Sequence, residues 1–463
     1  MPVMDMTVMA QSAAQELALY LDRNQVLLSG PRYDMARGVW NGAVDHHPAV
    51  IVRPWTRADV QAAIRTARER QLAVSVRGGG YDWTGRAVRS GGLVIDLSRM
   101  RRVTVDPQAR IATIAGGATV ADVVAATTPH GLAAVTGTDG GVGMTGLTLA
   151  GGYGPLTGHY GLALDNLLGA DVVLEDGRFV RTDAAHEPEL FWALRGGGGN
   201  FGVVTAIRVK LHPVEELLAG LMLFPWQEAA DVWSRLDCAL AAAPRELTTQ
   251  SGIMTGDSRR PLIYVLPAWS GDPAQGAQVM ADLRRIGPPV TSRIGSMLPG
   301  EILGLLKNQF AAGRHYAIRT RNVPSLLPDV ILALVRAGST RTSPLSGITI
   351  RHFHGRPARI PVTATAFGIR QEHYLIEVTS AWLPEDPDGA LHRTWADALA
   401  TALVPSSLSG AYPGLLGGDD TYQIAHAYGG NTARLLAAKD RYDPDGVFSA
   451  TPLPSSHSAW IAA

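Results

Sequence analysis

The chain has 463 residues, and its 41 Lys and Arg side chains match 41 Asp and Glu, for a formal net charge of zero. That balance argues against nucleic acid or an anionic membrane as the dominant partner, and the length points to two domains rather than one core. The single cysteine, Cys238, excludes an internal disulfide and any multi-cysteine metal site.

The N-terminal residues carry an early acid and no basic-then-apolar leader, and no apolar run is long enough to span a bilayer, so a cytoplasmic setting is expected. Residues 15–21 read as the start of a short helix. Residues 49–53 (AVIVR) predict a buried strand. Thr56 then offers an N-cap, and Val60, Ala63, Ile64 and Ala67 repeat at helical spacing. Residues 72–76 return as a strand that empties into RGGGYD, and residues 92–97 form another. Residues 103–114 predict a hairpin with Pro107 in its turn, and residues 119–127 a helix capped by Thr119. A second hairpin covers 168–181, turning at Asp176-Gly177. A short helix at 188–195 and a strand at 201–211 follow. After Pro213 strands (262–265, 348–352, 374–380) alternate with long amphipathic helices (227–243, 273–286, 328–337, 388–403). This predicts an α+β domain, an antiparallel sheet covered by helices. The tail carries a helix ended by the turn Asp443-Pro444-Asp445-Gly446.

Three glycine clusters stand out: 77–80, the stretch 136–154 (TGTDGGVGMTGLTLAGGYG), and 196–199. The middle stretch is not expected to hold an ordinary helix or strand, because glycine gives up much conformational freedom on folding. It suits backbone that passes close to something flat or phosphorylated, and all three clusters are expected to face one large cofactor. The pattern Gly197-x-Gly199-x-x-Gly202 matches a dinucleotide fingerprint. It follows a helix and opens a strand, the reverse of the Rossmann order, so a plain glycine-rich connection is preferred.

RGGGYDWTG, GGLVIDLSRM, GGATVADV, GLTLAGGYG, DNLLGADVVLEDGR, ELFWALRGGGGNFGVVT and RYDPDGVF run in one order along the chain. Together, over about residues 45–450, they resemble the FAD-linked oxidase superfamily with its PCMH-type FAD-binding fold, in the berberine-bridge-enzyme-like branch. The resemblance implies an FAD-binding domain of two subdomains at 1–213, to which 412–463 returns. It also implies a substrate domain at 214–411 whose seven-stranded sheet covers the flavin ring. Arg77, Gly78, Gly79, Gly80, Tyr81 and Asp82 would then wrap the pyrophosphate as a nest of N–H groups. Gly141, Val142, Gly143, Thr145 and Gly146 would continue the cradle, with Thr145 a phosphate donor. Gly151, Gly152 and Gly154 would let backbone approach the ring edge. Gly202, Val203 and Val204 would lie near adenine and ribose, and Tyr428 and Asn431 match the family's YxGxN segment.

Many relatives attach FAD through a histidine and a cysteine; here Tyr81 and Asp139 stand at those positions. A phenol is a poor substitute for imidazole and a carboxylate cannot replace a thiolate, so non-covalent FAD is predicted, with a lowered redox potential implied by the family. The family's Y-x-N-Y run reads Tyr412-Pro413-Gly414-Leu415, which puts a leucine at the base position. Tyr412, Asp139 and Tyr81 remain as candidate bases. Arg370 matches a family arginine. His352 and His354 share a strand face but lack a third ligand, so they read as pocket-lining or surface groups and no metal is expected. His315, Tyr316, Arg319 and Arg321 form a polar cluster that reads first as a solvated strand face and second as a substrate contact. Trp226 and Trp233 read as core. The expected activity is FAD-dependent oxidation of a small organic metabolite in natural-product biosynthesis, with molecular oxygen as acceptor. The alternative, prompted by the missing attachment and base residues, is a redox-neutral cyclase or isomerase that keeps FAD as a structural or electrostatic element.

Overall fold

The computed structural model describes residues 6–256, 260–307 and 309–454; the sequence readings that reach into 1–5 and 455–463 lie outside the described residues. The first unit is the expected βαβ. Strands Val50–Val52 and Val74–Arg77 both pair in parallel with Leu93–Asp96, and the helix Arg57–Glu69 connects them. Thr56 starts that helix: its hydroxyl accepts the Asp59 N–H while the Asp59 carboxylate accepts the Thr56 N–H, a capping box. Val60, Ala63, Ile64 and Ala67 are fully buried on its inner face. Thr56→Ala is expected to cost about 1 kcal/mol, read as a shift in the denaturant midpoint with an unchanged slope.

A five-stranded antiparallel sheet follows, in the order Val103–Asp106, Ile111–Ala115, Val203–Lys210, Leu167–Val173, Phe179–Thr182. Both expected hairpins lie in it. Asp106 accepts the Gln108 N–H beside Pro107, and Gly177 takes the left-handed φ of +80° at the second turn.

Two expectations need correction. The first helix spans Met6–Leu17 rather than starting at residue 15. The glycine stretch does hold a helix, Met144–Ala150. Only Gly146 lies inside it. Met144, Thr148 and Leu149 are buried by the packing of this helix on Pro188–Gly197, and that burial outweighs one glycine's cost.

Beyond residue 213 lies a seven-stranded antiparallel sheet, ordered Thr291–Met297, Leu217–Pro225, Pro261–Trp269, Leu247–Thr255, Gly347–Phe353, His373–Trp382, His315–Val323. The two-residue period divides its side chains cleanly. Ile348, Ile350, Tyr374, Ile376 and Val378 join a core with the helices Ala229–Leu240, Pro273–Arg284, Pro328–Ser339 and Gly389–Ala402. The opposite face, with Tyr264, Leu266 and Leu375, packs on the glycine-rich part of the chain. Trp233 is fully buried in the helix-covered core, and Trp226 packs against it edge-on. The tail helix Thr432–Tyr442 returns to Pro188–Gly197.

Candidate active site

A cavity of about 430 Å³ lies between the glycine-rich loops and the free face of the seven-stranded sheet. The C-terminal end of strand Val74–Arg77 delivers Gly78, Gly79, Gly80, Tyr81 and Asp82 to its wall. Val142, Gly143, Thr145 and Gly146 line it from the facing loop and helix. The two loops touch backbone to backbone. A Cβ on Gly79 would sit 2.3 Å from the Gly143 nitrogen, and one on Gly143 2.5 Å from the Gly79 nitrogen, so neither position admits a side chain. The Thr145 hydroxyl is buried in this wall without a protein partner, which suits a polar ligand atom. At the far end Gly202 and Val204 line the cavity, together with Val74, Val76 and Leu97.

Some expected lining residues lie elsewhere. Arg77 is drawn off to Asp96 at 3.2 Å. Gly141 is closed off by Tyr81, whose hydroxyl would lie 2.3 Å from its Cβ. Gly151 and Gly152 serve Tyr412 instead. A Cβ on Gly151 would meet that ring at 2.5 Å, and the Gly152 N–H donates to the Tyr412 hydroxyl at 2.7 Å. Gly154 is pressed against the Thr136 carbonyl, where a Cβ would stand 1.8 Å away. Strand alternation turns Val203 into the core behind Val204. Tyr428 is fully buried, and Asn431 donates to the carbonyls of Val362 and Thr365, so both hold loops together away from the cavity.

Of the candidate bases, Tyr81 and Asp139 are bonded to each other, the phenol donating at 3.2 Å. Burial, then the Asp139 charge, pushes the Tyr81 phenol well above its ordinary value. Tyr412 lines the cavity beside Tyr153, with ring centres 5.3 Å apart. Burial lifts its pKa to about 12, so at neutral pH it is a donor rather than a base.

The sequence reading missed the groups that the sheet supplies. Arg351, Leu375, Glu377 and Thr379 project from adjacent strands into the cavity. Arg351 donates to Gln250 at 2.7 Å, and its guanidinium lies 3.6 Å from the Glu377 carboxylate. The signal was present: in ITIRHF and YLIEVTS, Arg351 and Glu377 fall on the parity opposite to the buried isoleucines. Trp40 and residues 449–451 also line the cavity and were not singled out, and Phe448, the last residue of RYDPDGVF, joins them.

The remaining candidates are structural. Arg319 bonds Asp397 and Asp419, and Arg321 bonds Gln423, so this part of the polar cluster cross-links elements rather than facing solvent freely. Arg370 grips Asp165 with two bonds at 3.0 and 2.8 Å, both side chains buried. His352 and His354 do not line the cavity: their rings stack at 4.1 Å, with His354 buried and His352 half-buried. Among the described residues no group of three His, Cys, Asp or Glu side chains is placed to hold a metal, and no helix is long and apolar enough to cross a membrane. Burial lowers the pKa of His373 and of His212 to about 4, and of His352 to about 2. These imidazoles stay neutral when folded but take protons once unfolded, so their contribution is lost as pH falls below about 6.5. Unfolding free energy is therefore expected to fall between pH 7 and pH 5, by on the order of 1.4 kcal/mol per histidine per pH unit in the steep region, read as a falling melting temperature. A flat melting profile over that interval would contradict the burial argument.

A long cavity, glycine-walled at one side and roofed by a helix-backed sheet at the other, defines a protein built to sandwich one extended, flat ligand. Comparison with known proteins agrees. A model of an FAD binding domain matches residues 48–183, and one described as berberine and berberine like matches 421–452. The (R)-6-hydroxynicotine oxidase of Paenarthrobacter nicotinovorans is 30% identical over 431 residues, 90% of this chain and 93% of that protein. The FAD-linked oxidoreductase aurO of Gibberella zeae is 29% identical over 96% of this chain and 88% of its own length. The crystal structure of 6-hydroxy-D-nicotine oxidase from Arthrobacter nicotinovorans superposes with a TM-score of 0.85 at 28% identity, covering 93% of this chain and 97% of that one. The chain belongs to the FAD-linked oxidoreductase family, in its berberine-bridge-enzyme-like branch.

Proposed function

We propose that the chain is an FAD-dependent oxidase or dehydrogenase of a small organic metabolite, acting in natural-product biosynthesis with FAD held non-covalently. In this reading residues 1–213 and 412–463 form the FAD-binding domain and 214–411 the substrate domain. The observation that carries it is that one cavity joins the glycine cradle to a carboxylate, Glu377, and a phenol, Tyr412. The cradle fits the cofactor: Gly79 and Gly143 leave no room for side chains, and Thr145 has an unpartnered hydroxyl. FAD when bound supplies a two-electron acceptor. The chain's own groups then handle the proton. Glu377 is the proposed base that accepts it as hydride leaves substrate carbon, and Arg351, anchored by Gln250, fixes the carboxylate. Tyr412, its oxygen already accepting the Gly152 N–H, stays protonated and donates a hydrogen bond to a substrate heteroatom, which holds the substrate in place. Molecular oxygen is the proposed terminal acceptor, giving hydrogen peroxide. Glu377 supplies the base that Leu415 cannot, which favours this reading over the redox-neutral cyclase.

Two measurements test it. Acid precipitation should leave flavin colour in the supernatant; colour in the pellet would refute non-covalent binding. Anaerobic mixing with hydroxylated N-heterocycles and phenolic metabolites should bleach the oxidised-flavin absorbance, with peroxide formed on readmitting air. Turnover without bleaching, undiminished by removing oxygen, would establish the redox-neutral alternative.

A further inference from the structure

Tyr81 and Asp139 sit on the two loops that form the cavity's glycine wall, 78–82 and 139–143. Those loops meet at Gly79 and Gly143 through backbone alone. Among the described residues, the side-chain hydrogen bond between them is Tyr81 to Asp139, 3.2 Å. Both partners are built in. Asp139 also accepts the Gly141 N–H at 2.8 Å, a local turn that aims the carboxylate at the phenol. Gly141 leaves the space that the Tyr81 hydroxyl occupies. On the other side, Tyr81 stacks on Trp40 (5.8 Å, 19°), and Trp40 stacks on Tyr316 (3.9 Å, 10°) of strand His315–Val323. Tyr316 in turn donates to the Ala311 carbonyl at 2.5 Å and, through its N–H, to Asn41 at 2.9 Å. The phenol is thus held by a three-ring ladder that reaches the seven-stranded sheet, while its hydroxyl reaches the facing loop.

We propose that the Tyr81–Asp139 hydrogen bond is a clasp that closes the glycine wall of the cofactor cavity and sets how long FAD stays bound, an inference that rests on the FAD reading above. The two loops gain no covalent or metal cross-link at this point, so separating them costs one charge-assisted hydrogen bond and the ring stack behind it. Tyr81 and Asp139 then act as positioning residues for the cofactor rather than as the proton acceptor. That division of labour leaves Glu377 and Tyr412 to the reaction.

The test is the rate of FAD release from the purified holoprotein, followed by the rise in free-flavin fluorescence on dilution. Tyr81→Phe keeps the ring ladder and removes only the donor, and Asp139→Ala removes the acceptor. Each is expected to accelerate release by about tenfold or more, from the size of a hydrogen bond to a charged group. The double variant should be no faster than the faster single one, because the two changes break the same bond. The near-UV circular dichroism of flavin-free Tyr81→Phe should match that of the wild type, which separates a clasp from loss of the surrounding fold. Release at the wild-type rate in both variants overturns the clasp. A wild-type protein that takes up no FAD overturns the FAD reading itself, so the two failures are distinct.

Discussion

Glu377→Gln is expected to lower kcat by roughly 100- to 10,000-fold, the range a positioned general base contributes, while FAD content and substrate binding stay near wild type. The amide keeps the shape and the contact with Arg351 but cannot accept a proton. The group sits in a strand, between Ile376 and Val378, which are buried on the helix side, so the backbone holds it rigidly toward the cavity. Tyr412→Phe should cost less, because the phenol is protonated at neutral pH and contributes a hydrogen bond rather than the base. An unimpaired Glu377→Gln enzyme, with Tyr412→Phe inactive, would reverse these assignments and return the proton transfer to the phenol.

The second large effect is on stability. Asp165→Leu should destabilise the protein by about 3–5 kcal/mol, because it leaves the Arg370 guanidinium buried and unpaired. Replacing both partners, Asp165→Leu with Arg370→Met, should recover most of that loss, since the cost lies in the orphaned charge. The pair matters to the cavity by a short route. The Asp165 carboxylate also accepts the Leu162 N–H, and the N–H groups of Ala163 and Leu164 donate to the carbonyls of Gly152 and Gly151. Gly152 in turn holds the Tyr412 hydroxyl. The single variant should therefore lose activity at temperatures well below its global melting point. Full activity up to that melting point would show that the segment 162–166 does not need the ion pair to keep Tyr412 in place.

Much of the fold was legible because local signals agreed with one another. Thr56 before Val60, Ala63, Ile64 and Ala67 specifies one helix with one buried face, and the turn at Asp176-Gly177 specifies one hairpin. The glycine clusters at 78–80 and 143–146 were legible as a wall, since few packing roles require backbone so bare. Gly151, Gly152 and Gly154 were misread because their reason for being glycine lies elsewhere. Gly151 yields to the Tyr412 ring, some 260 positions away, Gly152 to Ala163 and Leu147 at a left-handed φ of +89°, and Gly154 to the Thr136 carbonyl. Arg351 and Glu377 were missed for a related reason. Parity along a strand assigns them to the face opposite the isoleucines, but only the packing of the sheet over the glycine wall makes that face the roof of a cavity. The helix at Met144–Ala150 escaped because glycine content was weighed over the whole stretch rather than over the seven residues that pack.

The strand-end loops form early in the chain, but the cavity they open toward is lined in part by Phe448, Ser449, Ala450 and Thr451. Asn200 fixes that last segment: its side-chain oxygen accepts the N–H groups of Ala450 and Thr451, and its amide donates to the Thr451 carbonyl. Lys439 adds a bond to the Phe448 carbonyl. On the ribosome, then, the N-terminal half emerges before both the sheet that roofs the cavity and the 448–451 wall, and about 250 more residues must be synthesised before Asn200 meets its partners. The wall at 448–451 can therefore be fixed only once both segments are present, however early the glycine loops are made.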